Sequence, residues 1–326
     1  MMLSRVADCL YWMSRYLERA EHTSRALDVQ LNVALDESPW AASMGWMCLL
    51  SSLRVDLPMD ICADPQAVTN ALVFDRSNPS SVVSCVRNAR ENARQVRESI
   101  TSELWEEINH LHLSMQSQSI SRLWNAGPHP FLKSIHRGSQ MIAGIIDATF
   151  NHGEGWQFIR LARALERAMA TAWLLEAHFG MKGTDLSDDP SPDEFVAWAA
   201  LLRMCNAFEP YCKIHTVELR PKWILQFILL DQNLPRSIRF AANEVQSAVT
   251  AIAHATGAAD ATHVRRLAGR LAAELSFVTI DEILDGDLSE YLQNIVTRCV
   301  DIHNAINSRF ITYSVDAALG AVAAQT

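Results

Sequence analysis

One amphipathic stretch is written twice in this chain, and that repetition limits the architectures open to it. RYLERAEHTSRALD at 15–28 returns as RALERAMATAWLLE at 163–176. Arg15, Leu17, Glu18, Arg19, Ala20, Thr23 and Leu27 recur in frame as Arg163, Leu165, Glu166, Arg167, Ala168, Thr171 and Leu175. Downstream, LVFDRSNPSSV (72–82) is echoed by ILLDQNLPRSI (228–238), where Asp75, Pro79 and Ser81 match Asp231, Pro235 and Ser237. Two echoes in the same order at nearly the same spacing predict an internal duplication. Its halves would be about 1–150 and 151–313, related by a pseudo-twofold and followed by a frayed tail ending in GAVAAQT.

The periodicity within each copy sets the class. Leu3, Val6, Leu10, Met13, Leu17, Ala20, Leu27 and Leu31 step by three and four residues, the spacing of one helix face. This predicts a helix from about Ser4 to Asp36. A second long helix is predicted from Pro79 to about residue 112, with Asn78 as its cap and Pro79 in its first turn. Further helical patterns cover about 130–150, 154–179, 193–206, 221–230, 235–256, 260–277 and 287–313, and GMKGTDLSDDPSPD at 180–193 reads as a loop. No run of strands is expected. The reading is an all-α bundle of long helices.

Composition removes whole classes of partner. A net charge of −9 disfavours a general nucleic-acid binder, which needs a basic footprint, and disfavours docking on an anionic membrane. The longest apolar run, WILQFILL at 223–230, is too short to span a bilayer. Seven Cys are scattered without a C-x-x-C, which fits reduced thiols in the cytoplasm better than disulfides or zinc. The start, MMLSRVADCLYW, lacks the uninterrupted apolar region of a signal peptide. Lys occurs only at Lys133, Lys182, Lys213 and Lys222, so Arg makes up most of the 28 cationic residues. Arg is the side chain that pairs carboxylates and phosphates bidentately.

SRVADCLYWMSRYLERAEHTSRALD, FDRSNPSSVVSCVRNARENARQVRE, EGWQFIRLARALERAMATAWLLE and LLDQNLPRSI together resemble the alpha-E domain family, all-helical and named for its Glu-Arg (ER) motif. The likeness runs from the first residues to about 310. One departure is at Arg160 and Ala162, where members of the family often carry a Gly before the Arg. Members typically lie beside, or fused to, a circularly permuted ATP-grasp amide ligase, and often near a transglutaminase-like peptidase. The resemblance therefore implies a role in an ATP-dependent peptide or amide-forming system, with those two enzymes as partners.

The residues themselves leave two uses for the ER motif. Adjacent helical residues point about 100° apart, so Glu18 and Arg19 do not pair with each other. In the structural use, two ER helices pack together with Glu18 facing Arg167 and Glu166 facing Arg19, and Ala20 and Ala168 allow close approach. In the ligand use, Arg15, Arg19, Arg163 and Arg167 clamp a carboxylate or phosphate. The bland alternative is a set of exposed pairs one turn apart, such as Glu21 with Arg25 and Glu166 with Arg163.

Other chemistry finds little support. A di-iron bundle needs Glu-x-x-His on two helices, and only Glu107 to His110 matches. Of three Asp-x-x-x-Asp spacings, only the one at Asp281 and Asp285 sits in a plausible helix-end cluster. No phosphate loop, serine elbow or zinc-protease motif occurs, so no cofactor and no metal are expected. Trp40 and Trp46 are candidates for an interaction surface. The expectation is an accessory protein of an amide ligase that presents a peptide or carboxylate. The alternative is an enzyme formed by the ER helices and the turns at Asp75, Asn78 and Pro79, and at Asp231 and Pro235.

Overall fold

The structure, a computed structural model, describes residues 2–35, 38–62, 64–182, 191–216, 218–256 and 261–311. The loop read at 180–193, with the Asp-x-x-x-Asp spacing at Asp185 and Asp189 inside it, lies largely outside these residues, as do Asp36 and the last residues of the tail.

Sixteen α-helices follow one another among the described residues. The first eight are α1 (Ser4–Val33), α2 (Pro39–Ser52), α3 (Met59–Cys62), α4 (Pro65–Val73), α5 (Val82–Gln95), α6 (Ser102–Gln116), α7 (Ile120–Ala126) and α8 (Pro128–Thr149). The second eight are α9 (Glu154–Lys182), α10 (Pro192–Met204), α11 (Phe208–His215), α12 (Pro221–Leu230), α13 (Ile238–Thr256), α14 (Thr262–Phe277), α15 (Ile280–Leu284) and α16 (Leu288–Ile306). No strand occurs among the described residues.

The long helix expected from Pro79 is instead two helices. Asn78 does not cap it: its Oδ1 accepts from Ser80 N, and Ser81 Oγ accepts from Ser84 N at the true start. The chain leaves the helix at Val96, passes through a 3-10 turn at Arg97–Ser99, and restarts where Thr101 Oγ accepts from Leu104 N. Side-chain oxygens that satisfy free N–H groups at a helix start favour a new helix over continuation. The same chemistry starts helices that the apolar pattern missed: Ser38 and Pro39 start α2, and Asp64 and Pro65 start α4. Gly127, at φ 82°, turns the chain between α7 and α8, a conformation open to a residue without Cβ.

α1 and α9 are the two longest helices and pack against each other at the centre. α1 also touches α5, α8 and α10, and α9 touches α13, α16 and α2. Because helices pack on several sides of α1, charged residues in its middle are buried along with its apolar stripe: Arg15, Glu18, Glu21 and Arg25 are each less than 9% exposed. Trp46 packs in the core, whereas Trp40 is exposed.

Candidate functional site

The site lies where α1 and α9 cross. Glu18 and Glu166 project from facing helices, and the small Ala20 and Ala168 are buried beside them. Arg167 grips Glu18 with a fork, Nε to Oε1 and Nη2 to Oε2, both at 2.9 Å. Glu166 receives two arginines of α1: Arg19 Nε donates to Oε1 and Arg15 Nε to Oε2, each at 2.6 Å. Glu166 therefore does not pair with Arg163 of its own helix.

The second apolar echo brings its turn to this crossing. Asp231 Oδ1 accepts from Asn233 N and Leu234 N, and Ser237 Oγ accepts from Phe240 N to start α13. That turn presents the Pro235 carbonyl to Arg167 Nη1 at 3.1 Å and the Arg236 carbonyl to Thr171 Oγ1 at 3.3 Å. The Arg236 guanidinium bridges Glu18 and Glu21, and Arg25 also holds Glu21 while donating to Asn206. Asp75 forms the equivalent turn, accepting from Ser77 N and Oγ. The contacts of Asp75 and Asp231 belong to their own turns, which Pro79 and Pro235 stiffen.

Electrostatics follow from this geometry. Burial pushes the Glu18 carboxyl up, but Arg167 and Arg236 outweigh it and hold it at about 2. Glu166 is likewise lowered, because Arg15 and Arg19 outweigh its burial. Burial lowers His22 to about 4, helped by Arg236. The Arg163 side chain has neither an ion pair nor a hydrogen bond among the described residues; burial and the nearby Arg167 lower its affinity for its proton, opposed by Glu18, Glu244 and Asp147.

Glu18, Glu21 and four arginines (Arg25, Arg163, Arg167 and Arg236) line a cavity of about 280 Å³. Its opposite wall is apolar, built by Ile142, Ala143 and Ile146 of α8. The cavity thus joins cations to an aliphatic face. The sequence reading missed Glu21, Arg25 and Arg236, because an i,i+4 Glu/Arg pair looks like an ordinary exposed pair. The available signal was that α1 lacks a continuous polar face.

The groups in this cavity are poorly set for independent nucleophilic chemistry. Cys205 lines it, but burial pushes its thiol up to about 12. Ser14 Oγ and Ser139 Oγ have no hydrogen-bond partner among the described residues. Elsewhere Cys48 Sγ lies 3.2 Å from His178 Nδ1, which is also 3.0 Å from the Leu174 carbonyl. An Nδ1–H donated to that carbonyl leaves no lone pair there to activate the thiol. Among the described residues no three His, Cys, Asp or Glu side chains gather as a metal site. Glu107 and His110 are 3.8 Å apart, with His110 largely exposed. No described helix is long and apolar enough to cross a membrane.

A family described as "a predicted alpha-helical domain with a conserved ER motif" matches residues 2–311. The chain belongs to the Alpha-E family. Two similar proteins, each named only as an uncharacterized protein, come from Mycobacterium bovis and Mycobacterium tuberculosis, at 23% and 22% identity over 254 residues. Each match covers 72% of this Alpha-E chain but 28% of the relative, so the chain spans less than a third of those proteins. No solved structure matches it.

Proposed function

We propose that this Alpha-E chain is a helical scaffold that holds a carboxylate-bearing substrate for an ATP-grasp amide ligase. In this reading two duplicated halves pack about a pseudo-twofold axis, and the ER motif locks them. Several features support the duplication. The helices α1 to α8 and α9 to α16 run in parallel order, α2 packs on α9 while α10 packs on α1, and α2 and α10 end alike. At those ends Arg54 and Asn206 both take positive φ, and Val55 N and Ala207 N bond back to Leu50 O and Leu202 O.

The observation that carries the scaffold reading is the division of labour among the arginines. Arg15, Arg19 and Arg167 are committed to the two ER glutamates, while Arg163 faces the cavity with no acceptor. An enzyme using Glu18 as a general base would need a carboxylate that takes a proton near neutrality, and at about 2 it is a weak base. Relatives in which the matching segment is under a third of the chain fit a module that works alongside other domains. The family resemblance supplies the ligase, and a transglutaminase-like peptidase, as partners.

The test is to express the chain with the ATP-grasp ligase of its own genome. The scaffold reading predicts co-purification and no phosphate release from ATP by the chain alone. Phosphate release or acyl transfer by the isolated chain would overturn it.

A further inference from the structure

The cavity at the ER crossing has a charge imbalance that its own residues do not resolve. Two glutamates serve three arginines there: Glu18 takes Arg167 and Arg236, and Glu21 takes Arg25 and Arg236. Arg163 is left over. Glu18, Glu244 and Asp147 act on it electrostatically without forming an ion pair with it; Glu18 is held by Arg167 and Arg236, and Glu244 by Arg160 at 2.7 Å. Independent of charge, the polar atoms Ser14 Oγ and Arg25 Nε are buried and have no hydrogen-bond partner among the described residues. Both residues line the cavity, and both are more than nine-tenths buried. Buried polar atoms are usually paired in native structures, so this wall carries polar groups that the described side chains leave unsatisfied.

We infer that this cavity binds one small carboxylate with a short aliphatic or peptide tail, its carboxylate on Arg163 and its tail against Ile142, Ala143 and Ile146. The inference rests on the scaffold reading above and names the class of substrate held. A carboxylate presents two planar oxygens, the shape a guanidinium fork accepts bidentately. A single uncommitted guanidinium balances one negative charge, which favours a carboxylate over a phosphate dianion. A volume of about 280 Å³ accommodates one or two residues of peptide.

The other side of the crossing explains why one ligand is expected. A smaller cavity of about 160 Å³ lies there, around Arg19, Glu166, Ser80 and Trp173. Its two arginines are both engaged, Arg19 with Glu166 and Arg54 with Glu176. Ser80 stands beside Pro79 where Arg236 stands beside Pro235, so this side lacks the bridging cation. No guanidinium is free on it.

The experiment is calorimetric titration of the full chain with N-acetyl-alanyl-alanine, with its C-terminal amide, and with inorganic phosphate. The acid should bind one per chain, and the amide should bind at least about tenfold more weakly. Arg163→Met should weaken the acid by at least about tenfold without lowering the unfolding temperature. Ala143→Phe, which keeps all four arginines, should block the tail and abolish binding. Absence of acid binding by the unmodified chain, equal binding of acid and amide, or phosphate bound as tightly as the acid would each overturn the assignment. Acid binding by a chain that does not co-purify with a ligase overturns the partnership and keeps the site; co-purification without acid binding does the reverse.

Discussion

Glu18 on α1 and Arg167 on α9 meet in a two-pronged ion pair, both contacts at 2.9 Å, with Glu18 only 7% exposed. Glu18 is also 3.2 Å from Arg236, so one carboxylate neutralises cations from two elements of the C-terminal half. Replacing Glu18 with Gln should strand Arg167, leave Arg236 with Glu21 alone, and cost about 3–5 kcal/mol, read by urea denaturation. A loss below about 1 kcal/mol would mean that the pair is solvated.

Glu166 has two donors with different surroundings. The Arg15 side chain is 5% exposed, whereas Arg19 is 27% exposed. Arg15→Met should therefore be the more destabilising of the two, by at least about 1 kcal/mol, since solvent screens the Arg19 contact. Equal losses in denaturant midpoints would contradict the burial difference.

Arg163 has no acceptor among the described residues and sits beside like charge. Arg163→Met should leave the thermal unfolding temperature unchanged or raise it. Arg167→Met, which removes the forked partner of Glu18 and leaves it Arg236 alone, should lower it by several degrees. A large drop for Arg163→Met would reveal a structural partner for that guanidinium.

His22 gives the fold a dependence on pH with a defined sign. Its folded value is lowered from 6.5 to about 4, by burial first and Arg236 second. Between those values the unfolded chain takes up a proton that the folded chain refuses. The stabilisation is complete above about pH 6.5 and shrinks as pH falls toward 4, by up to about 1.4 kcal/mol per unit. His136 and His303, also lowered to about 4, act in the same direction from less buried sites. Denaturation series at about pH 7.5 and about pH 5 should show His22→Gln losing less stability than the unmodified chain. Identical losses would place a charged His22 in the fold.

The sequence carried the class, the two central helices and the motif at their crossing, because these depend on apolar period and on a repeat. Glu18, Arg19, Glu166 and Arg167 stood out by recurring in frame, and they meet. The break at Val96–Thr101 was hidden because an apolar stripe continues across it, and only the Thr101 cap marks a new start. Glu21, Arg25 and Arg236 were hidden for another reason. Whether an i,i+4 pair is exposed depends on which helices surround it, and α8, α9 and α10 close over this one. Arg236 comes from a turn distant in sequence, a contact that no local pattern encodes.

The claim at the centre of this account is that the twice-written motif joins α1 to α9 by crossed, buried ion pairs. A double-mutant cycle with Glu18→Gln and Arg167→Met, followed by equilibrium denaturation of the full chain, measures that directly. The account predicts a coupling on the order of 2 kcal/mol, with the double variant less destabilised than the sum of the singles. Losses that add to within about 0.5 kcal/mol would contradict it.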